Sequence, residues 1–232
     1  MAEWLSEISF QKCLERLEWE EHRLSSRDHE WTAAKPRARV RQDKSSRAER
    51  AFTFIFVAGA LEDLFRNLNV DLAEDLHNVQ VPRWDLRLAS ISMLVPNTWD
   101  AINGDRVVRL IKRRELVETF NNFYLATDPL DFADISQLGV SDGRTVNVHH
   151  FEALWEGLCL SETAASVWLS TQHRQAIVSL GEKRNAIAHF QADPRVEAFR
   201  FSYRDLRVLV SRVRETVERV QEHTIVWLDK YG

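Results

Sequence analysis

The chain predicts an all-α protein, a helical bundle with extra short helices and loops. Three observations carry that expectation. Apolar residues recur at intervals of three and four through most of the sequence. Gly and Pro number only 7 and 5 among 232 residues, too few for the turns of many short strands. No series of alternating apolar and polar segments, no internal repeat and no low-complexity tract interrupts the pattern. The length suits one domain with a sizeable core, and eight Trp imply heavy aromatic packing within it.

The first helix follows from Phe10, Leu14, Leu17, Leu24 and Trp31, which share a face broken by Glu21 and Asp28. Lys35-Pro36 ends or bends it. The chain divides there into an N-terminal helical extension, residues 1–34, and a main helical domain, residues 35–232. Ser46-Arg47-Ala48-Glu49 has the form of a capping box, although no strong breaker lies between 38 and 46 and the helix can start earlier. Its apolar body holds Phe52, Ile55, Phe56, Leu61, Leu64, Phe65 and Leu68, with the acidic pair Glu62 and Asp63 set into it. One or two short helices are expected between Asp71 and Val95, punctuated by Pro82 and Pro96.

The next stripe is Val107, Leu110, Ile111, Val117, Phe120 and Tyr124, with Arg106, Arg109, Lys112 and Arg113 opposite and Asp128-Pro129 at its end. Residues 139–148 read as a loop or short extended piece. A helix from about His150 to Leu158 follows. Thr171 is the expected N-cap of a helix with Ile177, Leu180, Ile187 and Ala188 on its buried side, stopped by Asp193-Pro194. Ser202 and Asp205 cap a last helix. Its Leu206, Val210, Val213, Val217, Val220, Thr224 and Trp227 form a long seam, intramolecular or between subunits.

Charge narrows the partners. A net charge of −4 supplies no global field for nucleic acid, so any RNA contact has to be local. Lys35, Arg37, Arg39, Arg41, Lys44, Arg47 and Arg50 crowd one segment, opposed only by Asp43 and Glu49. They form either a solvated face or a phosphate-contacting patch. Cys13 and Cys159 are too few for a disulfide framework or a zinc motif, and suit a reducing, cytoplasmic setting. Met1 to Glu7 lacks the features of a secretory leader, and the longest apolar run, residues 51–61, is too short to span a bilayer. No membrane association and no cofactor or metal is therefore expected. There is no H-E-x-x-H, no Gly-rich phosphate loop and no G-x-S-x-G elbow, and His149-His150 diverge on a helix.

The chemistry concentrates in Arg184-Asn185-Ala186-Ile187-Ala188-His189. Arginine stabilises anionic oxygens and histidine moves protons near neutral pH, so the pair can cleave a phosphodiester without a metal. Spacing alone says little. Arg144 and His149 repeat it, and Arg16–His22, Arg23–His29 and Arg144–His150 miss by one residue. Three features set Arg184 and His189 apart. Asn185 adds a neutral donor and acceptor beside the arginine. The pair sits at a helix end, where the dipole favours a cation. Ala186 and Ala188 leave room for a ligand or a second backbone. Five residues of helix put Arg184 and His189 about 140° and roughly 7.5 Å apart. The arginine has to fold toward the histidine, or a second copy completes the site under two-fold symmetry. The plainer alternative is a surface capping pair.

These residues resemble the R-N-x-x-A-H signature of the HEPN superfamily of helical nucleotide-binding domains. Ala60-Leu61-Glu62-Asp63-Leu64-Phe65 is similar to that group's second helix. The stretch from Gly143 to Phe151, followed by Leu154-Trp155, is similar to the segment before the motif helix in the RiboL-PSP-HEPN branch or a close relative. The resemblance implies a metal-independent endoribonuclease with a toxin or antiviral-defence role. It would act as a homodimer through the motif helix, with RNA as substrate and an antitoxin or defence-system protein as possible partner. Arg184, Asn185 and His189 would be the catalytic residues. Cleavage would proceed by 2′-hydroxyl attack, Arg184 stabilising the phosphorus centre, Asn185 orienting the phosphate or Arg184, and His189 shuttling the proton. One departure concerns neutralisation. In toxins paired with a nucleotidyltransferase, a modified Tyr sits two residues after the histidine, where this chain has Gln191. Glu62 or Asp63 either faces the site or pairs with one of the many arginines. Two non-catalytic alternatives stand beside the nuclease: an HEPN-like module that binds RNA, a nucleotide or a protein, and a purely structural helical dimer.

Overall fold

The last helix shows most directly how the sequence folds. Leu206, Val210, Val213, Val217, Val220, Thr224 and Trp227 are all buried, and the seam they form is filled from within the same chain. The computed structural model describes residues 4–79, 145–158, 164–189, 191 and 193–232, and the side chains of these except at 39–42, 44, 164 and 165. Every regular element among them is helical. The main helices are α1 (Leu5–Ala33), α2 (Pro36–His77), α3 (Val148–Gly157), α4 (Thr171–Ala188), the single turn α5 (Pro194–Glu197) and α6 (Tyr203–Tyr231). Short 3-10 turns occupy Ala164–Val167 and Ala198–Arg200. The helix expected around residues 107–124, the short helices near Pro82 and Pro96, residues 139–144 and Cys159 lie outside the described residues. No helix among the described residues is long and apolar enough to cross a membrane.

Helix α1 lies along both α2 and α6. Its Phe10, Cys13, Leu17 and Leu24 recur at helical spacing and join the common core, with Leu14 and Trp31 packed at its margin. Residues 34–35, the border drawn between extension and main domain, form the corner between α1 and α2, with Pro36 at the first turn of α2, where no backbone donor is missed. The start of α1 is capped from a distance. Asp75, near the end of α2, accepts from the backbone of Leu5 at 2.8 Å and Ser6 at 2.9 Å, and from Ser6 Oγ at 2.5 Å. A buried carboxylate thus satisfies helix donors that would otherwise be stranded. Trp4 Nε1 ties the same end of α1 to α6 by donating to Asp229 at 2.8 Å.

Helix α2 differs from expectation in two ways. It is longer: it takes the earlier start that the lack of a breaker before Ser46 left open, at Pro36, and continues through Asp71 to His77. Ser46 is buried inside it, its hydroxyl turned back onto the Asp43 carbonyl at 3.0 Å. Its buried face also differs. Phe54 and Val57 are fully enclosed, whereas Phe52 and Ile55 are 50% and 36% exposed. Residues 51–61 are apolar on nearly every side, so periodicity cannot select the inward face there. Beyond them Leu61, Leu64, Phe65 and Leu68 are buried as expected.

Helix α3 begins two residues before His150. Asn147 caps it, accepting from His149 N at 2.8 Å, and its own N–H donates to His150 Nδ1 at 3.2 Å. His150 is thereby a capping residue, edge-on to Phe65. Ser170 rather than Thr171 caps α4, and α4 ends at Ala188, before Asp193-Pro194, which instead caps and opens α5. Ala176, Ile177, Leu180 and Ile187 form its buried side, while Ala188 is exposed. The Ser202–Asp205 box opens α6 as read from the sequence. Near the start of α4, His173 Nε2 meets Glu215 of α6 at 2.8 Å and its Nδ1 meets Ser170 Oγ at 2.8 Å, which ties the two helices together.

Replacing Asp75 by Ala removes three hydrogen bonds at a buried helix start. It is expected to cost roughly 2–3 kcal/mol, measured as a lowered urea midpoint by circular dichroism. A change under about 0.5 kcal/mol would show that the cap is not structural. The His173 contact, followed by the Ser211 hydroxyl, holds the Glu215 carboxyl below the usual carboxylate range against its desolvation. A depressed folded-state pKa contributes stability above the unfolded value and loses it as pH falls through the folded one. The stability gap between wild type and Glu215→Gln should therefore be full at neutral pH and close on acidification below about pH 4. A gap independent of pH would contradict the clamp.

Candidate functional site

The last turns of α4 carry the motif, and three elements meet there. Arg184 projects toward α2, where its Nη2 lies 2.9 Å from Oε1 and 3.3 Å from Oε2 of Glu62. The two side chains are 24% and 22% exposed. The nearer oxygen is enclosed and off-line for a hydrogen bond, so charge attraction rather than a directed bond carries that contact. Arg184 Nη1 also donates to Asn185 Oδ1 at 3.2 Å. Thr145, from the strand of chain leading into α3, donates its hydroxyl to the same Oδ1 at 3.0 Å. Two donors on one oxygen fix the orientation of the amide and leave its NH₂ without a hydrogen bond to any described residue.

His189 stands differently. It is the C-cap of α4, with its backbone N–H bonded to Asn185 O at 3.0 Å. Gln191 N closes on Ala186 O at 3.0 Å, the bond of a Schellman-type helix end. The His189 side chain is exposed and makes no hydrogen bond or ion pair with the described residues. The structure therefore joins the Arg184 and Asn185 side chains and leaves the His189 side chain without a hydrogen bond to either, as the helical offset predicts.

The two readings of the acidic pair divide between its members. Glu62 takes the motif arginine, whereas Asp63 turns to the surface and pairs with Arg16 at 2.7 Å and Arg66 at 2.9 Å. Thr145 is the contributor that spacing did not reveal. It follows Arg144 in a motif-like match, and only the approach of its segment to α4 gives it a role. Other matches are engaged elsewhere: Arg23 with Glu20, and His149 with Glu152.

The basic segment at the start of α2 is partly absorbed into the fold. Arg47 pairs with Asp43 and covers the Phe199 ring at 4.3 Å. Arg50 donates to Phe201 O at 2.5 Å and Ser46 O at 3.2 Å, and burial pushes its pKa down. Lys35 and Arg37 remain exposed. Among the described residues, no group of three or more His, Cys, Asp or Glu side chains is arranged to hold a metal ion.

Comparison with known proteins adds no relative: no family model matches the chain, and neither curated proteins nor solved structures give a match.

The contrast between the two acids is testable. Glu62→Ala leaves a largely enclosed guanidinium without its counter-charge and is expected to cost roughly 1–3 kcal/mol. Asp63→Ala removes only surface pairs and should stay within about 1 kcal/mol. Equal effects in urea unfolding would show that Glu62 is an ordinary surface partner.

Proposed function

We propose that the chain is a metal-independent endoribonuclease of HEPN type, built from Arg184, Asn185 and His189 and acting as a homodimer through the α4 end. The observation that carries this reading is the convergence on Arg184 of Glu62 and Asn185, with Asn185 held in turn by Thr145. A guanidinium positioned in this way is suited to a phosphate, and the NH₂ of Asn185, which bonds to no described residue, adds a second donor for a phosphate oxygen or a ribose hydroxyl. His189, exposed at the helix end, is open to a 2′-hydroxyl.

In the proposed reaction, neutral His189 removes the 2′-hydroxyl proton as that oxygen attacks phosphorus. The P–O5′ bond breaks, and the imidazolium so formed passes that proton on to the leaving oxygen. The products are a 2′,3′-cyclic phosphate and a 5′-hydroxyl. Arg184 stabilises the charge that builds on the phosphorus oxygens, with Glu62 aligning it until the phosphate arrives. A toxin or antiviral-defence role, with an antitoxin or defence-system protein as partner, belongs to the same proposal. Gln191 at the position of the modified tyrosine argues against neutralisation by nucleotidyl transfer.

One observation favours a second reading, a non-catalytic RNA- or nucleotide-binding module. In a single chain Glu62 already pairs with Arg184, and the His189 side chain makes no hydrogen bond to that arginine. The two readings separate in one assay. Purified protein incubated with RNA in EDTA is expected to yield cyclic-phosphate ends, with Arg184→Ala and His189→Ala each slowing cleavage at least a hundredfold, in line with loss of a transition-state donor or an acid–base group. Asn185→Ala should slow it less. Intact RNA with wild type, or equal cleavage by the variants, removes the nuclease reading. RNA retained without cleavage favours the binding module.

A further inference from the structure

A groove of about 600 Å³ runs between α4 and the first half of α6, away from the Glu62 contact. Its rim is arginine-rich. Arg200 and Arg204 are exposed and make no hydrogen bond or ion pair with any described residue. Arg212 closes the far end, held by Gln172 Oε1 at 2.5 Å. Asp205 is the acid among the lining residues, and its carboxylate is occupied by the α6 cap, accepting from Ser202 N at 2.9 Å and Ser202 Oγ at 2.7 Å. Other cations nearby are spent: Lys183 on Glu197 at 2.5 Å, and Arg195 on Asp193 at 2.8 Å. In a chain of net charge −4, this is a concentrated local positive field.

The walls add a second chemistry. Gln175 and Ser179 of α4 face the groove with no hydrogen bond to a described residue, and Phe201, Val208 and Leu209 supply apolar floor. Guanidinium groups over apolar surface, with free amide and hydroxyl groups beside them, suit flat bases joined by phosphates. An acidic polypeptide would use the arginines but has little use for the floor. The volume is that of a small-molecule site, enough for about one or two nucleotide units of a strand and not for a duplex.

We propose that this groove binds the backbone of single-stranded RNA and guides it along α4 to His189. The second half of that statement rests on the nuclease reading of the motif, whereas the binding does not. Helical geometry connects the two places. Fourteen residues on from Gln175, His189 returns to within about 40° of the same side of α4, and it lies roughly 15 Å along the axis from Ser179. Glu182 is the acid on that path, and the strand has to pass beside it.

The test is anisotropy titration of a labelled, single-stranded 2′-O-methyl RNA, which cannot be cleaved by 2′ attack. The comparison is between wild type, Arg200→Glu/Arg204→Glu, and Lys12→Glu/Lys230→Glu, which makes the same charge change far from the groove. The groove variant is expected to weaken binding at least tenfold and to lower the salt dependence by about one to two counterions. The control should stay within about twofold, the residual effect of net charge. Equal effects of the two variants, equal binding of a duplex, or equally strong competition by poly-glutamate would overturn the groove as a single-strand site. Failure of the nuclease reading looks different: wild type then binds through Arg200 and Arg204 but leaves unmodified RNA intact. Cleavage at wild-type rate by the groove variant would instead sink the groove and leave the nuclease standing.

Discussion

The motif site and the start of α1 both depend on α2. Its 42 residues run unbroken from Pro36 to His77, and its apolar face from Ala51 to Leu76 is buried against the other helices. That length fixes distances at both ends. Near the C-terminal end Asp75 caps α1, which lets α1 start where α6 finishes and lie antiparallel to α2. Near the N-terminal end Arg50 reaches the turn before α6. Between them sits Glu62, on the flank of α2 that α4 approaches. A helix interrupted at residue 71 would take Asp75 out of register with the start of α1.

The motif is a consequence of that scaffold. An arginine that is three-quarters enclosed needs compensation, and α2 supplies it from a residue set among buried leucines. Helix α4 is fixed by its apolar side and by the His173–Glu215 clamp, so Arg184 has few arrangements open to it. Asn185 is held as a second-order effect, through Thr145 and the arginine itself. The His189 side chain escapes this network because the residue caps its helix and its backbone is used to close it. On the proposed reading, one chain presents the arginine half of the site and the histidine half apart from each other along α4.

Much of this was legible in the sequence. The α6 seam, its Ser202–Asp205 box and the corner at Pro36 rest on local rules, periodicity and capping, and they appear where those rules put them. The inward face of residues 51–61 was not legible, because a segment apolar all round carries no direction. The Ser46 box was misleading for a related reason: S-x-x-E marks a helix start only where the preceding residues cannot be helical, and residues 36–45 can. The Asp75 cap and the Thr145 contact join residues about 70 and 40 positions apart in sequence, and no local pattern announces such pairs. Glu62 was visible as an anomaly, an acid in an apolar helix, but its partner was visible only in three dimensions.

The central claim is that Arg184 and His189 of one chain do not form a complete site and that two chains do. Mixing tests it most directly. Arg184→Ala and His189→Ala proteins, each inactive alone, are combined after mild denaturation and refolding so that mixed dimers form. A shared site predicts that the mixture regains RNA cleavage, because a mixed dimer unites an intact arginine from one chain with an intact histidine from the other. Continued inactivity of the mixture, under conditions where co-refolded wild type cleaves and mixed dimers are detected, would contradict it.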